Sequence, residues 1–280
     1  MLAPPQVQNA KGLRWSGRTD RGKVRTNNED AFLGLQFDGR EVRHLGKIGE
    51  GLTGQMDYAF AVSDGMGGAM AGEIASRIAI EKITTLLPRA YRQSAAGLDA
   101  GITDVLEELF TQIHRSLAQM GRSYEECRGM ETTLSLAWFT PGKMYFAHVG
   151  DSRIYYLPSQ TGPIKQLTQD DTHVGWLLRN GHLKEWEARS HPARNRLQKA
   201  LGGNNQFVTP QVGAVPYEPG DVFLLCTDGL TEGLFDQDLH DFLRVPEAGE
   251  NAIRPAERLV NESLDRSGRD NTTALVIGVY

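Results

Sequence analysis

Cysteine is scarce in this sequence: 280 residues contain only Cys127 and Cys226, far apart and with no C-x-x-C. That excludes a disulfide framework and a cysteine-built zinc site, and it fits a reducing cytoplasm. Long apolar runs are absent as well. The stretch 132-TTLSLAWF-139 falls far short of the roughly 20 residues needed to cross a bilayer, so no membrane partner is expected. Basic charge is not in excess: 30 Lys and Arg against 35 Asp and Glu give a net charge of −5. With no basic run or basic half, binding to nucleic acid by phosphate neutralisation is not expected. Repeats, low-complexity segments and long charge blocks are missing too. The start, MLAPPQVQNAK, has no basic n-region and places two prolines where a secretory signal needs apolar residues. Residues 1–11 read as a loose tail.

What is present is an ordinary globular composition, 40% hydrophobic and 23% charged. Strand-like runs rich in β-branched and aromatic residues stand at 31–37, 58–63, 133–139, 144–149, 153–157, 221–227 and 272–280. Two helices follow the 3.6-residue period. One carries Ile74, Ile78, Ala79, Ile83, Leu86 and Leu87, the other runs from Ile102 to Met120. A third helix is expected at about 252–265, with Ile253, Leu259, Val260 and Leu264 on one face. Short turns between neighbouring strands favour antiparallel pairing. The expectation is an α+β fold in one domain over 12–280, with a polar helical stretch near 170–201.

Glycine is the one excess, at 31 residues, and it sits beside aspartates. An apolar strand followed by Asp and then Gly or Ser occurs as 60-FAVSDG-65, 146-FAHVGDS-152 and 223-FLLCTDG-229. Glu29 and Asp30 precede one strand, and Asp270 precedes the last. Asp-Gly is a strong hairpin signal, but Gly65 leads into a helix and the arrangement recurs three times. Aspartates converging from strand ends without His or Cys form a ligand set for Mg²⁺ or Mn²⁺. Arg25, five residues before Asp30, suits a phosphate oxyanion.

The series 19-TDRGKVRTNNED-30, 62-VSDGMGG-68, 129-GMETTL-134, 149-VGDSR-153, 167-LTQDDTH-173, 226-CTDGL-230 and 269-RDNTT-273 resembles the motif series of the metal-dependent protein phosphatases. This is the PPM or type 2C family, with bacterial serine/threonine phosphatases among its members. The resemblance implies a four-layer α-β-β-α sandwich of two antiparallel sheets flanked by helices, with a flap over about 170–201. It implies that Asp64 bridges two metals, that the Gly65 carbonyl completes one shell, and that Asp228 and Asp270 bind the first metal. Glu29 and Asp30 would act through metal-bound waters, Asp151 would belong to a weaker third metal, and Arg25 would hold the substrate phosphate. The implied reaction is hydrolysis of phosphoserine and phosphothreonine by a metal-bridging hydroxide, with Mn²⁺ or Mg²⁺ as cofactor. Phosphorylated proteins, among them an autophosphorylated kinase, are the implied partners of a cytoplasmic monomer.

Two positions depart from the family pattern. Met66 stands where animal members carry a histidine acid, which leaves the proton donor open between a metal-bound water and His173. Glu131 stands where many members have glycine, and no role follows from the sequence. The segment 37–57 is long and reads as a surface hairpin. His191, Arg194 and Arg196 fall in the flap, the arginines as solvated residues. The glycine patterns 49-GEGLTG-54 and 65-GMGGAMAG-72 fail as nucleotide fingerprints, the first leading into a strand and the second placing Met70 at its third glycine position. A pseudophosphatase module and a phosphatase of an anti-sigma-factor antagonist are the alternatives.

Overall fold

The computed structural model describes residues 11–38, 40–54, 56–95, 101–204, 207–244 and 254–280. In chain order the elements are β1 (Gly12–Asp20), β2 (Asp30–Phe37), β3 (Val42–His44), β4 (Ile48–Leu52), β5 (Asp57–Met66), α1 (Ala69–Ala95) and α2 (Ile102–Ser123). Then come β6 (Glu131–Thr132), β7 (Leu134–Thr140), β8 (Lys143–Val149), β9 (Arg153–Leu157), β10 (Lys165–Gln166), α3 (His173–Arg179) and α4 (Glu185–Ser190). The chain closes with β11 (Leu201–Gly202), β12 (Gln211–Pro216), β13 (Val222–Cys226), α5 (Asp228–Gly233), α6 (Asp236–Arg244), α7 (Pro255–Arg266) and β14 (Thr272–Val279).

Among the described residues the strands form two sheets. One has the order β10-β9-β13-β14-β1-β4. The other has β11-β6-β5-β7-β8-β12, with β2 and β3 joined at β5. Every registered pair is antiparallel. The sheets pack face to face over Trp15, Phe60, Phe139, Phe223 and Ile277. Phe139 meets Phe60 and Phe223 edge-on, with ring centroids 5.8 and 5.2 Å apart. Such aromatic pairs add roughly 0.5–1.5 kcal/mol beyond area burial. The α1/α2 pair covers one outer face, and α5, α6 and α7 cover the other. The four layers are those expected.

Strand alternation explains the central strand. Tyr58, Phe60 and Val62 of β5 point between the sheets, whereas the small Ala59 and Ala61 lie under the α1/α2 layer. Asp64 continues the inter-sheet series by two-residue spacing, which puts it at the end of that core.

Three expectations change. The 37–57 segment is a hairpin only in its first part: β3 folds back on the end of β2, whereas β4 crosses to pair with β1 in the other sheet. Trp15 Nε1 donates to the Gly46 carbonyl at 3.0 Å, and a Cβ on Gly49 would meet the Trp15 ring at 2.3 Å, so indole packing draws this strand to β1. β1 itself has no counterpart in the expected strands, because Leu13 and Trp15 alternate with Arg14, Ser16 and Arg18. Lys11 exchanges hydrogen bonds with Thr53 and so is not part of a tail; residues 1–10, and Ile253 of the third helix, lie outside the described residues.

Asp57, 8% exposed at the start of β5, accepts the Trp138 Nε1–H at 2.8 Å. Burial pushes its pKa from 3.8 up to about 6. A raised folded pKa means stability that is full below the unfolded value and is lost as pH rises through the folded one. Asp57→Asn keeps an acceptor for Trp138 and removes the charge. Its stability relative to wild type should improve by roughly 2 kcal/mol between pH 4 and pH 7, read by urea denaturation at each pH. A difference independent of pH would contradict this reading.

Candidate active site

Asp30 and Asp64 are direct cross-strand partners of β2 and β5, so their side chains share one face at the end of the inter-sheet core. Asp228 starts α5 immediately after β13, and Asp270 precedes β14. Asp151 follows β8 in the turn to β9. Burial, first, and the charges of Asp30, Asp228, Asp151 and Asp270 hold the Asp64 pKa well above the carboxylate range. Burial raises Asp30 and Asp228 to about 7, and it raises Asp151 strongly as well.

Hydroxyl groups hold these acids in place. Thr227 and Thr273 both donate to Asp30 Oδ2, at 2.8 and 2.6 Å. Thr133 Oγ1 accepts the Asp64 backbone N–H at 3.0 Å, and Thr132 Oγ1 donates to the Asp64 carbonyl at 2.7 Å. Asn271 ties the first segment to the last strand: Oδ1 accepts the Glu29 N–H at 2.7 Å, and Nδ2 donates to the carbonyls of Arg21 and Asn27, each at 2.9 Å. None of these residues was singled out by sequence reasoning. The available signal was Thr227 beside Asp228 and Asn271 beside Asp270.

Close backbone packing completes the frame. A Cβ on Gly65 would stand 1.9 Å from the Gly72 carbonyl oxygen, and one on Gly72 would stand 2.8 Å from Glu29 Oε2. Glycine at both positions lets α1 start directly behind the acids. Arg25 is exposed, and its Nη2 donates to Asp270 Oδ2 at 2.6 Å. That bond uses one of the guanidinium's five N–H donors.

The donor set suits a hard divalent cation. Among the described residues Asp30 Oδ1 and Asp228 Oδ1, both buried, have no hydrogen-bond partner. Unpaired anionic oxygens at that depth are costly unless a cation meets them. Among the described residues no three acid, imidazole or thiol groups close into a finished cage. Asp30 is turned toward two threonines and Asp270 toward Arg25, which accounts for the open arrangement.

A cleft of about 740 Å³ opens beside Asp151 and Asp228, between the segment carrying α3 and α4 and the surface of α5, α6 and α7. Arg194 crosses it to Glu232 at 2.9 Å, so it is paired and not merely solvated; Arg196 is exposed. His173 lines a separate hollow with Arg196 and stacks on Trp176, away from the cleft that holds Asp151 and Asp228. The proton-donor candidate of the sequence reading is therefore not brought to these acids.

Residues 50–266 match the family description Protein phosphatase 2C. The chain belongs to the protein phosphatase 2C family. It is 32% identical over 95% of its length to the serine/threonine protein phosphatase PstP of Mycobacterium tuberculosis, and spans 45% of that relative. It is 31% identical to a serine/threonine phosphatase of Listeria welshimeri, with 93% of both chains covered. Among solved structures, a serine/threonine phosphatase of S. agalactiae superposes with TM-score 0.79 at 28% identity, covering 96% of this chain and all of that one. The PstP catalytic domain in complex with two manganese ions superposes with TM-score 0.73 at 30% identity, covering 96% and 99%.

Asn271→Ala should cost about 2–3 kcal/mol, because three hydrogen bonds to a buried amide are lost together. It should also weaken Mn²⁺ affinity by releasing the Arg21–Glu29 segment. Chemical denaturation and titration calorimetry read the two effects. Full stability together with unchanged affinity would remove Asn271 from the site.

Proposed function

We propose that the protein is a Mn²⁺- or Mg²⁺-dependent serine/threonine protein phosphatase, with residues 12–280 acting as one catalytic domain. The observation that carries this reading is the pair of buried, unpartnered oxygens on Asp30 and Asp228 within a cluster of mutually raised aspartates. Asp64, Asp228 and Asp270, with the Gly65 carbonyl, are the residues proposed to hold two ions, and Glu29 and Asp30 to support them through water. Asp151 is proposed for a third, weaker site beside Asp228. Bound divalent ions lower the pKa of water and neutralise phosphate charge.

The chain's own groups do the rest. Thr227 and Thr273 fix Asp30, and the Thr132–Thr133 pair fixes Asp64 at the backbone. Arg25 is proposed to give its remaining donors to phosphate oxygens, a charge-assisted contact of about 1.5–3 kcal/mol. The cleft beside Asp151 and Asp228 has room for the polypeptide carrying the phosphate. Substrates are phosphorylated proteins, with a serine/threonine kinase in its autophosphorylated form as a natural target. No helix among the described residues is long and apolar enough to cross a membrane. Two buried, unpaired cysteines support a reducing cytoplasm.

Hydrolysis of a phosphothreonine peptide should appear with Mn²⁺, vanish in EDTA and return with excess metal. Arg25→Ala should raise KM about tenfold or more with a smaller effect on kcat. Undiminished activity after exhaustive chelation, or unaltered kinetics in Arg25→Ala, would sink the corresponding role.

A further inference from the structure

Removing phosphate from serine or threonine expels an alkoxide, a leaving group basic enough to need a proton as the bond breaks. The aspartates above are committed to the cations, Met66 has no proton to give, and His173 lines another hollow. One more carboxyl stands on the same face of the sheet. By alternation along β5, Asp64 and Met66 share that face. Met66 pairs directly with Glu131 of β6. Directly opposed residues also share a face, with Cβ atoms roughly 4.5–5.5 Å apart. Glu131 is thus placed about 7 Å along the strands from Asp64, on the inter-sheet side.

We propose that Glu131 is the general acid of this phosphatase, donating its carboxyl proton to the departing serine or threonine oxygen; the inference rests on the phosphatase reading above. Its position is built into the backbone. Gly202 pairs with Glu131 across β11 and β6, and both Gly202 and Gly203 have positive φ, 90° and 61°. The Gly202 N–H donates to His114 Nδ1 at 3.0 Å, and the Gly203 N–H donates to the Met130 carbonyl at 3.0 Å. A Cβ on Gly203 would stand 1.9 Å from Glu131 Oε1, so the carboxyl lies directly against this glycine, whose φ of 61° is one that other residues rarely adopt. Met66, Leu201, Gly202 and Gly203 bring no charge to it, and His114 behind them accepts the Gly202 N–H. Burial alone raises the Glu131 pKa, with no neighbouring charge contributing, which favours the protonated form.

The step balances without a further reactant. A water oxygen bonds to phosphorus and gives one of its two protons to solvent, the ester P–O bond breaks with its electron pair on the departing oxygen, and the Glu131 proton passes to that oxygen. Solvent then reprotonates the carboxylate. One water is consumed, and an alcohol and inorganic phosphate are released.

The test is Glu131→Gln, isosteric and unable to donate a carboxyl proton, assayed with Mn²⁺ on aryl phosphates of graded leaving-group pKa and on a phosphothreonine peptide. The variant should lose at least tenfold more turnover on the peptide than on p-nitrophenyl phosphate, with a steeper dependence of kcat on leaving-group pKa. Mn²⁺ affinity by calorimetry should stay at the wild-type value, and Glu131→Gly should show the same steepening. Equal losses on all substrates, no loss, or a parallel fall in Mn²⁺ affinity would overturn the role. If wild type hydrolyses neither substrate, the phosphatase reading falls and takes this role with it; if wild type hydrolyses both, a failure belongs to Glu131 alone.

Discussion

Carboxylates brought together in a low-dielectric site repel one another, and folding has to supply the energy to hold them there. In this protein Asp30, Asp64, Asp151, Asp228 and Asp270 lie close enough that the charges of the other four all raise the Asp64 pKa. The sandwich supplies the holding force. Each acid sits at the end of a strand or beside one, and those strands are anchored by an aromatic core between the sheets and by helices on both outer faces. A rigid scaffold keeps the acids from separating, and hydroxyls and amides lock their orientation. What remains unsatisfied, the Oδ1 atoms of Asp30 and Asp228, is the part of the site that asks for a cation.

The same constraint accounts for the glycines and threonines around the acids. Gly65 and Gly72 allow α1 to begin against the backbone behind Glu29, and Gly229 lets α5 press onto the Asn271 carbonyl, which a Cβ would meet at 2.0 Å. α5 thereby presents its N-terminus at Asp228, where the helix dipole offsets part of the negative charge. Thr133 serves two sides of the site: its hydroxyl holds the Asp64 N–H and lies 2.7 Å from Ser152 Oγ, next to Asp151.

Much of this was legible in the sequence, for a physical reason. Core strands covered on both faces are almost wholly apolar, so β5, β7, β8, β13 and β14 stand out, and acids at their ends stand out against them. The long apolar stripes of α1 and α2 are equally plain. β1 was hidden because its inward residues alternate with arginines. The link between 37 and 57 read as a hairpin because local sequence shows turns but not which sheet edge a strand will join; Trp15, far off in sequence, decides that for β4. Asn271 and the threonines went unnoticed because hydrogen bonds that span 68 to 250 positions leave no local pattern. Glu131 was visible as an oddity, but only the β5–β6 register connects it with Met66.

The central claim is that the fold holds repelling carboxylates in place for a divalent cation. Differential scanning calorimetry of wild type and Asp228→Asn at pH 8, in EDTA and in excess Mn²⁺, tests it most directly. The Asp228 pKa, raised to about 7, makes its charge a cost above that pH in the metal-free protein. In EDTA the variant should melt at or above wild type. Mn²⁺ should raise the wild-type Tm by several degrees and the variant's far less. A variant that melts well below wild type in EDTA, yet is stabilised by Mn²⁺ to the same extent, would contradict it.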